Sequence, residues 1–478
     1  MSDYTNSITP DGLTGSIFAA EGVRNALTIL NGPTGCKFYH SAIVDSQTIR
    51  QSEFDPHVYS DLWYFGHPRV PCTYLDRDDY IYGSEKKLRE MLDFVRDNAV
   101  YDLICIINSP AAALIGDDLK GFARKTDVGK PVVVIESPGY STDVSVGYEA
   151  AALHILKALL PEDAQTSPLP QASPASPASP LSPASPAPQT FPASQAPPVS
   201  HTSSASQAPP PPRQAKSVNI LGLSIYHKYH RGDVRELARM FSLCGIHVNC
   251  FLCGGGTVDE IRAVPEADLN IVIHPEYGLK TAEWLKETFG TPWYSLSHAP
   301  IGFASSERMM REVSDILNCD AQAFFEKSAR ARADAYAFVS RVNSLTGLPK
   351  GTDIAIEGTW SELTAYAEFL VKYFGMHIDG LSVLSQDTDC AKEACLALLE
   401  SFGMEDALER EIMDTRAELV FASGGLIAAL RLAAPSRPFS GIEISLPTMG
   451  YLDVIPKTHL GLSGALLLTE EVLNGLMF

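Results

Sequence analysis

Leu103-Ile104-Cys105-Ile106-Ile107 and Val132-Val133-Val134-Ile135 are two apolar runs uninterrupted by any polar residue. Short runs of this kind, rich in β-branched side chains, read as strands covered on both faces, the usual state of strands in a parallel sheet. Before them, in Ser84–Ala99, Leu88, Met91, Leu92 and Val95 fall at i, i+3, i+4 and i+7, which places one apolar stripe along a helix. Asn25–Leu30 reads as a further strand leading into Asn-Gly-Pro-Thr-Gly-Cys, and a helix near Leu114–Arg124 separates the two apolar runs. Strand and helix in alternation imply crossover connections, and so an α/β unit around a parallel sheet.

The same rhythm restarts twice. Val218–Leu223, His247–Cys253, Leu269–His274 and Pro292–Ser295 read as strands, with helices at Asp233–Cys244, Val258–Val264 and Leu279–Phe289. A long helical stretch, Ala321–Leu345, leads to Asp353–Gly358, the helix Ser361–Phe374, Leu381–Leu384, the helix Cys390–Phe402 and Leu419–Ala422. A last helix near Gly461–Leu476 is apolar enough to dock on the body of the protein. Between the first and second units, Pro161–Pro212 holds 16 of the 33 prolines and a Ser-Pro-Ala repeat. Such a segment cannot bury a core and is expected to be a disordered, partly polyproline-II insertion. The fold class is therefore α/β, with three Rossmann-like, doubly wound parallel-sheet domains at 1–160, 216–345 and 346–478, and the Pro/Ser/Ala-rich linker at 161–215.

The chain has 478 residues, 45% of them hydrophobic, enough for several cores. Its formal charge of −20 gives a nucleic-acid partner little support. No apolar run is long enough to span a bilayer, and the first residues lack a basic, then apolar, leader, so a cytoplasmic, membrane-free protein is expected. The nine cysteines are then reduced thiols, to be read one by one.

Ligands of doubly wound sheets gather beyond the carboxyl ends of the strands, yet no GxxxxGK[ST] or GxGxxG stands at such a place. ATP, if used, is bound by a second protein. In Gly32-Pro33-Thr34-Gly35-Cys36 the glycines permit a tight turn and close backbone approach, and a helix beginning there would favour a thiolate at Cys36. The plain alternative is a buried, inert thiol. Cys72, in the loop before the Ser84 helix, could supply a second soft ligand. Cys250 and Cys253 form a CxxC, but residues three apart on a strand face opposite ways, which favours core packing. Asp117 and Asp118 read as helix-capping carboxylates. Tyr226-His227-Lys228-Tyr229-His230-Arg231 is either a reader of an anionic substrate or a solvated loop.

Taken in order, Gly32–Cys36, Asp79–Leu88, Leu114–Asp118, Lys130–Val133, Glu136–Tyr140, Gly254–Ile261, Leu269–Val272, Phe289–Pro292 and Pro300–Gly302 resemble the landmarks of nitrogenase component 1 subunits and their relatives. The resemblance covers the chain outside the Pro-rich segment. It implies a three-domain subunit of a dimeric or tetrameric reductase, fed single electrons by an ATP-hydrolysing iron-sulfur partner. Substrates in that family include dinitrogen and tetrapyrroles, and some members are scaffolds for cofactor assembly.

Two of the three cysteines that catalytic relatives place around the interface cluster are replaced here, by Ser16 and by Asn108-Ser109-Pro110. Gly35 and Cys36 remain at the cofactor element. The resemblance thus implies a 4Fe-4S cluster shared between subunits rather than a larger one. In a homodimer Cys36 and Cys72 of both chains would supply four thiolates; a heterodimer with a thiol-rich, related subunit meets the same need. His274 lies about where the nitrogenase cofactor's cysteine is expected, which suggests a catalytic proton donor or a ligand to a metal centre; the alternative is a strand-end histidine bonded to a backbone carbonyl. The functional expectation is an iron-sulfur oxidoreductase component acting on an unidentified substrate. The alternative is a non-catalytic scaffold for metal-cluster assembly.

Overall fold

The computed structural model describes residues 10–47, 70–98, 101–136, 139–160, 216–385, 389–449 and 453–477. The Pro-rich segment expected to be disordered lies outside the described residues. Eleven strands among the described residues form three sheets, and every strand pair is parallel.

β1 (Ala26–Asn31), β2 (Leu103–Asn108) and β3 (Val132–Glu136) make the first sheet. β2 is buried along its whole length, and the two faces explain why its sequence shows no alternation. Leu103, Cys105 and Ile107 join a core with the helices Gly12–Glu21 and Val144–Leu159. Ile104 and Ile106 meet Leu88, Met91, Leu92 and Val95, the stripe of the helix Glu85–Asn98. At the free side of β1, Cys72 pairs in parallel with Leu30 as an isolated bridge, the rudiment of a strand.

β4 (Lys216–Leu221), β5 (Ile246–Phe251), β6 (Leu269–Val272) and β7 (Trp293–Ser295) form the second sheet in the order β5-β4-β6-β7. β8 (Asp353–Gly358), β9 (His377–Val383), β10 (Leu419–Ser423) and β11 (Ser440–Ser445) form the third, β11-β10-β8-β9. In the second sheet the order runs second strand, first, third, fourth, and the third sheet, read from its β9 edge, repeats it. The winding direction reverses between the first and third strands of each, which opens a crevice at that point. Val218, Ile271, Ile354 and Phe421 belong to one continuous core, so the second and third sheets are packed together.

The structure departs from the sequence reading in a few elements. The helix expected near Leu114–Arg124 is two pieces, Pro110–Ala113 and Leu119–Thr126, separated by Gly116 at φ +77°. The helices Gly12–Glu21, Val144–Leu159, Gly302–Leu317 and Gly424–Ala433 and strand β11 were not anticipated. Ser440-Gly441-Ile442-Glu443-Ile444-Ser445 sits at a sheet edge and mixes polar with apolar residues, so it lacks the apolar run of a central strand.

The helices Gly302–Leu317 and Trp360–Phe374 are tied by Glu368. Its carboxylate accepts hydrogen bonds from Ser305 Oγ at 2.7 Å, Lys372 Nζ at 2.8 Å and Arg308 at 3.2 Å. Burial by itself would raise its pKa, but the Lys372 bond, the His298 and Arg308 charges and the Ser305 hydroxyl outweigh it and hold the group at about 2. A folded-state pKa below the unfolded value of 4.5 stabilises the fold above that value, and the contribution fades as pH falls toward 2. We expect Glu368→Gln to be less stable at pH 7 by about 2 kcal/mol. Thermal unfolding at matched pH should show the gap to wild type shrinking below pH 4.5; a gap that widens in acid contradicts this assignment.

Candidate functional site

Cys36 follows β1 at the start of the helix Thr34–Gln47, as the Gly-Pro-Thr-Gly spacing suggested. Its Sγ lies 3.1 Å from the Tyr140 hydroxyl, and it is 6% exposed. Burial and the contact with Cys36 push the Tyr140 phenol up, so it keeps its proton. His40, one turn along the helix, stands between the Cys36 carbonyl oxygen, 3.0 Å from Nδ1, and Asp11 Oδ2, 2.8 Å from Nε2. It also stacks on Tyr140.

The close approach read from the sequence for the glycines of this element holds at Gly32 and not, within the described residues of this chain, at Gly35. Neither Gly32 nor Gly35 adopts a positive φ. A Cβ on Gly32 would lie 2.6 Å from Ser109 Oγ, so close approach is what that position requires. A Cβ on Gly35 would meet nothing within 4 Å: no described neighbour in this chain demands glycine there.

Cys72 is fully buried. Its Sγ donates to Gly32 O at 3.2 Å and accepts from Tyr74 N at 3.4 Å, and burial pushes the thiol up to about 11. The charge of Cys36 adds to that rise, so the two thiols share one neighbourhood. Cys36, buried just beneath exposed neighbours, fits an iron ligand. Cys72 fits once its Sγ leaves Gly32 O and gives up its proton, which bonding to iron would favour.

Exposed apolar side chains stand close to Cys36: Phe38 and Tyr39 follow it in the chain, and Tyr140 touches its sulfur. Phe38, Tyr39, Ile81, Tyr82, Leu114 and Tyr140 are all exposed, Tyr82 at 85% and Leu114 at 86%. Exposed apolar side chains of this size suit a face that meets another polypeptide.

The second cluster lies where the second and third sheets face each other. His274 follows β6 and precedes the helix Pro275–Phe289, and Gly222, at φ +74° after β4, lets the two chain segments close up there. His274 Nδ1 lies 3.2 Å from Ser361 Oγ, so its partner is a side chain of the third unit and not a backbone carbonyl. Its ring stacks on His227, with centroids 4.2 Å apart. Ring nitrogens of His227 and His274 and a carboxylate oxygen of Glu362 lie within 4.8 Å of one another. These residues come from the loop after β4, the end of β6 and the helix after β8, the switch points of two sheets.

Burial holds His274 down at about 3 and, with the His274 and His230 charges, keeps His227 well below its ordinary value. Both rings are therefore uncharged at neutral pH. Glu362 goes the other way: burial first, and then the charge of Glu276, raise its carboxyl to about 7, although it also accepts the Thr359 N–H at 2.9 Å. At neutral pH the proton this cluster can give is on Glu362.

A family model described as nitrogenase component 1 type oxidoreductase matches residues 12–477. The chain belongs to this family. Among its relatives is a light-independent protochlorophyllide reductase subunit of Synechococcus sp. strain CC9605, 24% identical over 419 residues, covering 86% of this chain and 71% of that protein. Its counterpart in Synechococcus elongatus is 21% identical over 373 residues, 76% of this chain; the chain spans 62% of that relative's length. A solved structure of nitrogenase Cp1 at pH 6.5 superposes with a TM-score of 0.71 at 15% identity, covering 98% of this chain and 92% of that one, a likeness of fold.

Ser16 Oγ lies 3.0 Å from Gly12 O and 3.2 Å from Gly147 O, buried between two helices. Ser109 caps the turn Pro110–Ala113 by accepting the Ala112 N–H. Asp118 caps the helix Leu119–Thr126, and Asp117 accepts from the Ser84 N–H and hydroxyl before the helix Glu85–Asn98. Cys250 and Cys253 are buried in one core, because Cys253 has left the strand at φ +50° and turns inward beside its partner.

The solvated-loop reading of Tyr226–Arg231 is overturned. Tyr226, His227, Tyr229 and His230 are buried, His230 Nε2 donates to Gly254 O at 2.6 Å, and Lys228 Nζ donates to Glu443 O at 2.8 Å. The apposed third unit covers this loop, which its polarity could not reveal. Sequence reasoning passed over Tyr140, His40 and Glu362; for Glu362 the signal was the Thr359-x-x-Glu362 capping box at the start of a helix after a strand.

No helix among the described residues is long and apolar enough to cross a membrane.

Proposed function

We propose that this chain is an iron-sulfur oxidoreductase subunit that takes low-potential electrons from an ATP-binding iron-sulfur reductase and reduces an organic substrate, of the tetrapyrrole class, held between its second and third sheets. The observation that carries the reading is Cys36: a thiol at the start of a helix, beside a glycine that nothing described in its own chain requires, with the exposed Phe38, Tyr39 and Tyr140 next to it. A 4Fe-4S cluster at an interface between two such faces would supply the electron-transfer chemistry. This chain's part is to hold that cluster through Cys36, to offer it the Tyr140 hydroxyl, and to keep water from it with the apolar rim. ATP is left to the reductase.

The ligand set depends on the oligomer. In a homodimer, Cys36 and Cys72 of both subunits complete the cluster; in a heterodimer, a related component 1 subunit supplies the remaining thiolates. In the substrate site His274 contacts the ligand as an uncharged ring, and Glu362 is the acid. The protochlorophyllide reductase names of the relatives support a reductive role and the substrate class.

Anaerobic co-purification with the partner, followed by iron and sulfide analysis and electron paramagnetic resonance, tests the reading; metal-free material would sink it. For the ligand set we expect Cys72→Ala to lose iron as completely as a Cys36 variant if the homodimer is correct. Unchanged iron in Cys72→Ala rejects the symmetric arrangement and assigns the missing thiolates to the partner. A scaffold role is favoured by Ser16 and Ser109, whose hydroxyls serve backbone groups at the positions where the family resemblance implies thiols. It predicts transfer of the cluster to an acceptor protein and no turnover with reductase and ATP.

A further inference from the structure

The group formed by His227, His274 and Glu362 has the residue types and spacing of a metal site. One hydrogen bond decides against that reading. The backbone N–H of Ser224 donates to His227 Nδ1 at 3.0 Å. A backbone amide is always the donor, so the Nδ1 lone pair is in use and the single proton of the neutral ring sits on Nε2. Histidines that bind metals show the opposite polarity: the nitrogen facing away from the ion gives its proton to an acceptor. Here Nε2 could bond a metal only by becoming an imidazolate.

Nε2 of His227 is buried and has no hydrogen-bond partner among the described residues. A buried N–H left unpaired is costly, and His227 as a whole exposes 9% of its surface. Stacking on His274 and an edge contact with Tyr277 fix its plane. The donor is thus held in place, uncharged and unused, at the switch point where ligands of such sheets bind.

We propose that His227 is a preset, neutral hydrogen-bond donor for a carbonyl or carboxylate oxygen of the organic substrate, and that the His227–His274–Glu362 group is a ligand site rather than a metal site. The proposal deepens the reductase reading and rests on it for the substrate class. When a conjugated substrate gains an electron, negative charge grows on its oxygen, and a fixed neutral imidazole N–H stabilises that charge without an ion having to be buried beforehand.

The test uses the full chain with its partner, labelled with 15N-histidine. Long-range proton–nitrogen spectra should show His227 protonated on Nε2 and bare on Nδ1 between pH 6 and 9; the reverse tautomer overturns the proposal. Titration with Co2+ should give no bound-metal absorption at this group, and stoichiometric binding abolished by His227→Gln overturns it. Protochlorophyllide, which carries both kinds of oxygen, is the ligand probe. His227→Phe should weaken its binding roughly ten-fold, whereas His227→Gln, whose amide N–H can replace Nε2–H, should stay within about three-fold of wild type. Equal loss in both variants with unchanged melting temperatures, or no uptake by wild type, overturns the proposal. The tautomer and cobalt readouts do not depend on iron, so failure of the iron-sulfur reading is seen separately.

Discussion

Cys36→Ala is expected to leave the protein without iron: the brown colour, the acid-labile sulfide and the paramagnetic signal of the reduced cluster should all disappear from anaerobically prepared material, while the fold persists. The Cys36 sulfur meets the Tyr140 hydroxyl at the edge of the core, so removing it leaves a small vacancy near the surface. Such a loss costs about 1 kcal/mol of stability, too little to unfold a protein with cores of this size. The effect on the cluster is of another order, because an iron site robbed of a thiolate ligand has no ready substitute among the described neighbours: His40 is engaged by Asp11 and the residue-36 carbonyl, the Tyr140 phenol holds its proton, and Cys72 Sγ is bonded to Gly32 O. Circular dichroism and melting temperature should match wild type. Iron retained at wild-type stoichiometry would move the cluster away from this element and remove the basis for the proposed function.

The second large effect is expected at Gly147. The helices Gly12–Glu21 and Val144–Leu159 cross so closely that a Cβ on Gly147 would lie 1.9 Å from Gly12 O, and one on Gly15 would lie 1.9 Å from Val144 O. The opposing atoms are backbone and cannot swing aside as a side chain could. Gly147→Ala must therefore part the two helices, strip Ser16 of its contact with Gly147 O and loosen the core beneath the first sheet. We expect a loss of about 3–5 kcal/mol, seen as a much lower melting temperature or as insoluble protein. Gly35→Ala is the control, since open space surrounds that position. It should fold normally, and any loss of iron or of subunit association in it reports on what covers Gly35 in the assembly.

The two sites differ in how far the chain alone disclosed them. Cys36 was legible because its constraint is local: turn residues, a following helix and a thiol stand within a few positions. Cys72 was legible as a candidate, but its burial and its bond to Gly32 O follow from an isolated parallel bridge that no local pattern encodes. The Tyr226–Arg231 loop shows the limit most clearly. Its composition is that of a solvated segment, and only the packing of the third unit against it removes it from water. Tertiary burial then changes the chemistry as well, lowering His227 and His274 and raising Glu362.

The sequence by itself determined the fold class. Unbroken apolar runs and helical stripes are governed by periods of two and 3.6 residues, and a single chain displays these without reference to anything distant. It also determined the order of the three units and the thiol after the glycine turn. Tertiary structure alone decided the second site, because His227, His274 and Glu362 are brought together by two sheets meeting at their switch points, and which nitrogen of His227 carries the proton is set by a backbone amide in contact with it. Protonation and partnership depend on what lies within a few ångströms in space, which hydrophobic periodicity along the chain does not record.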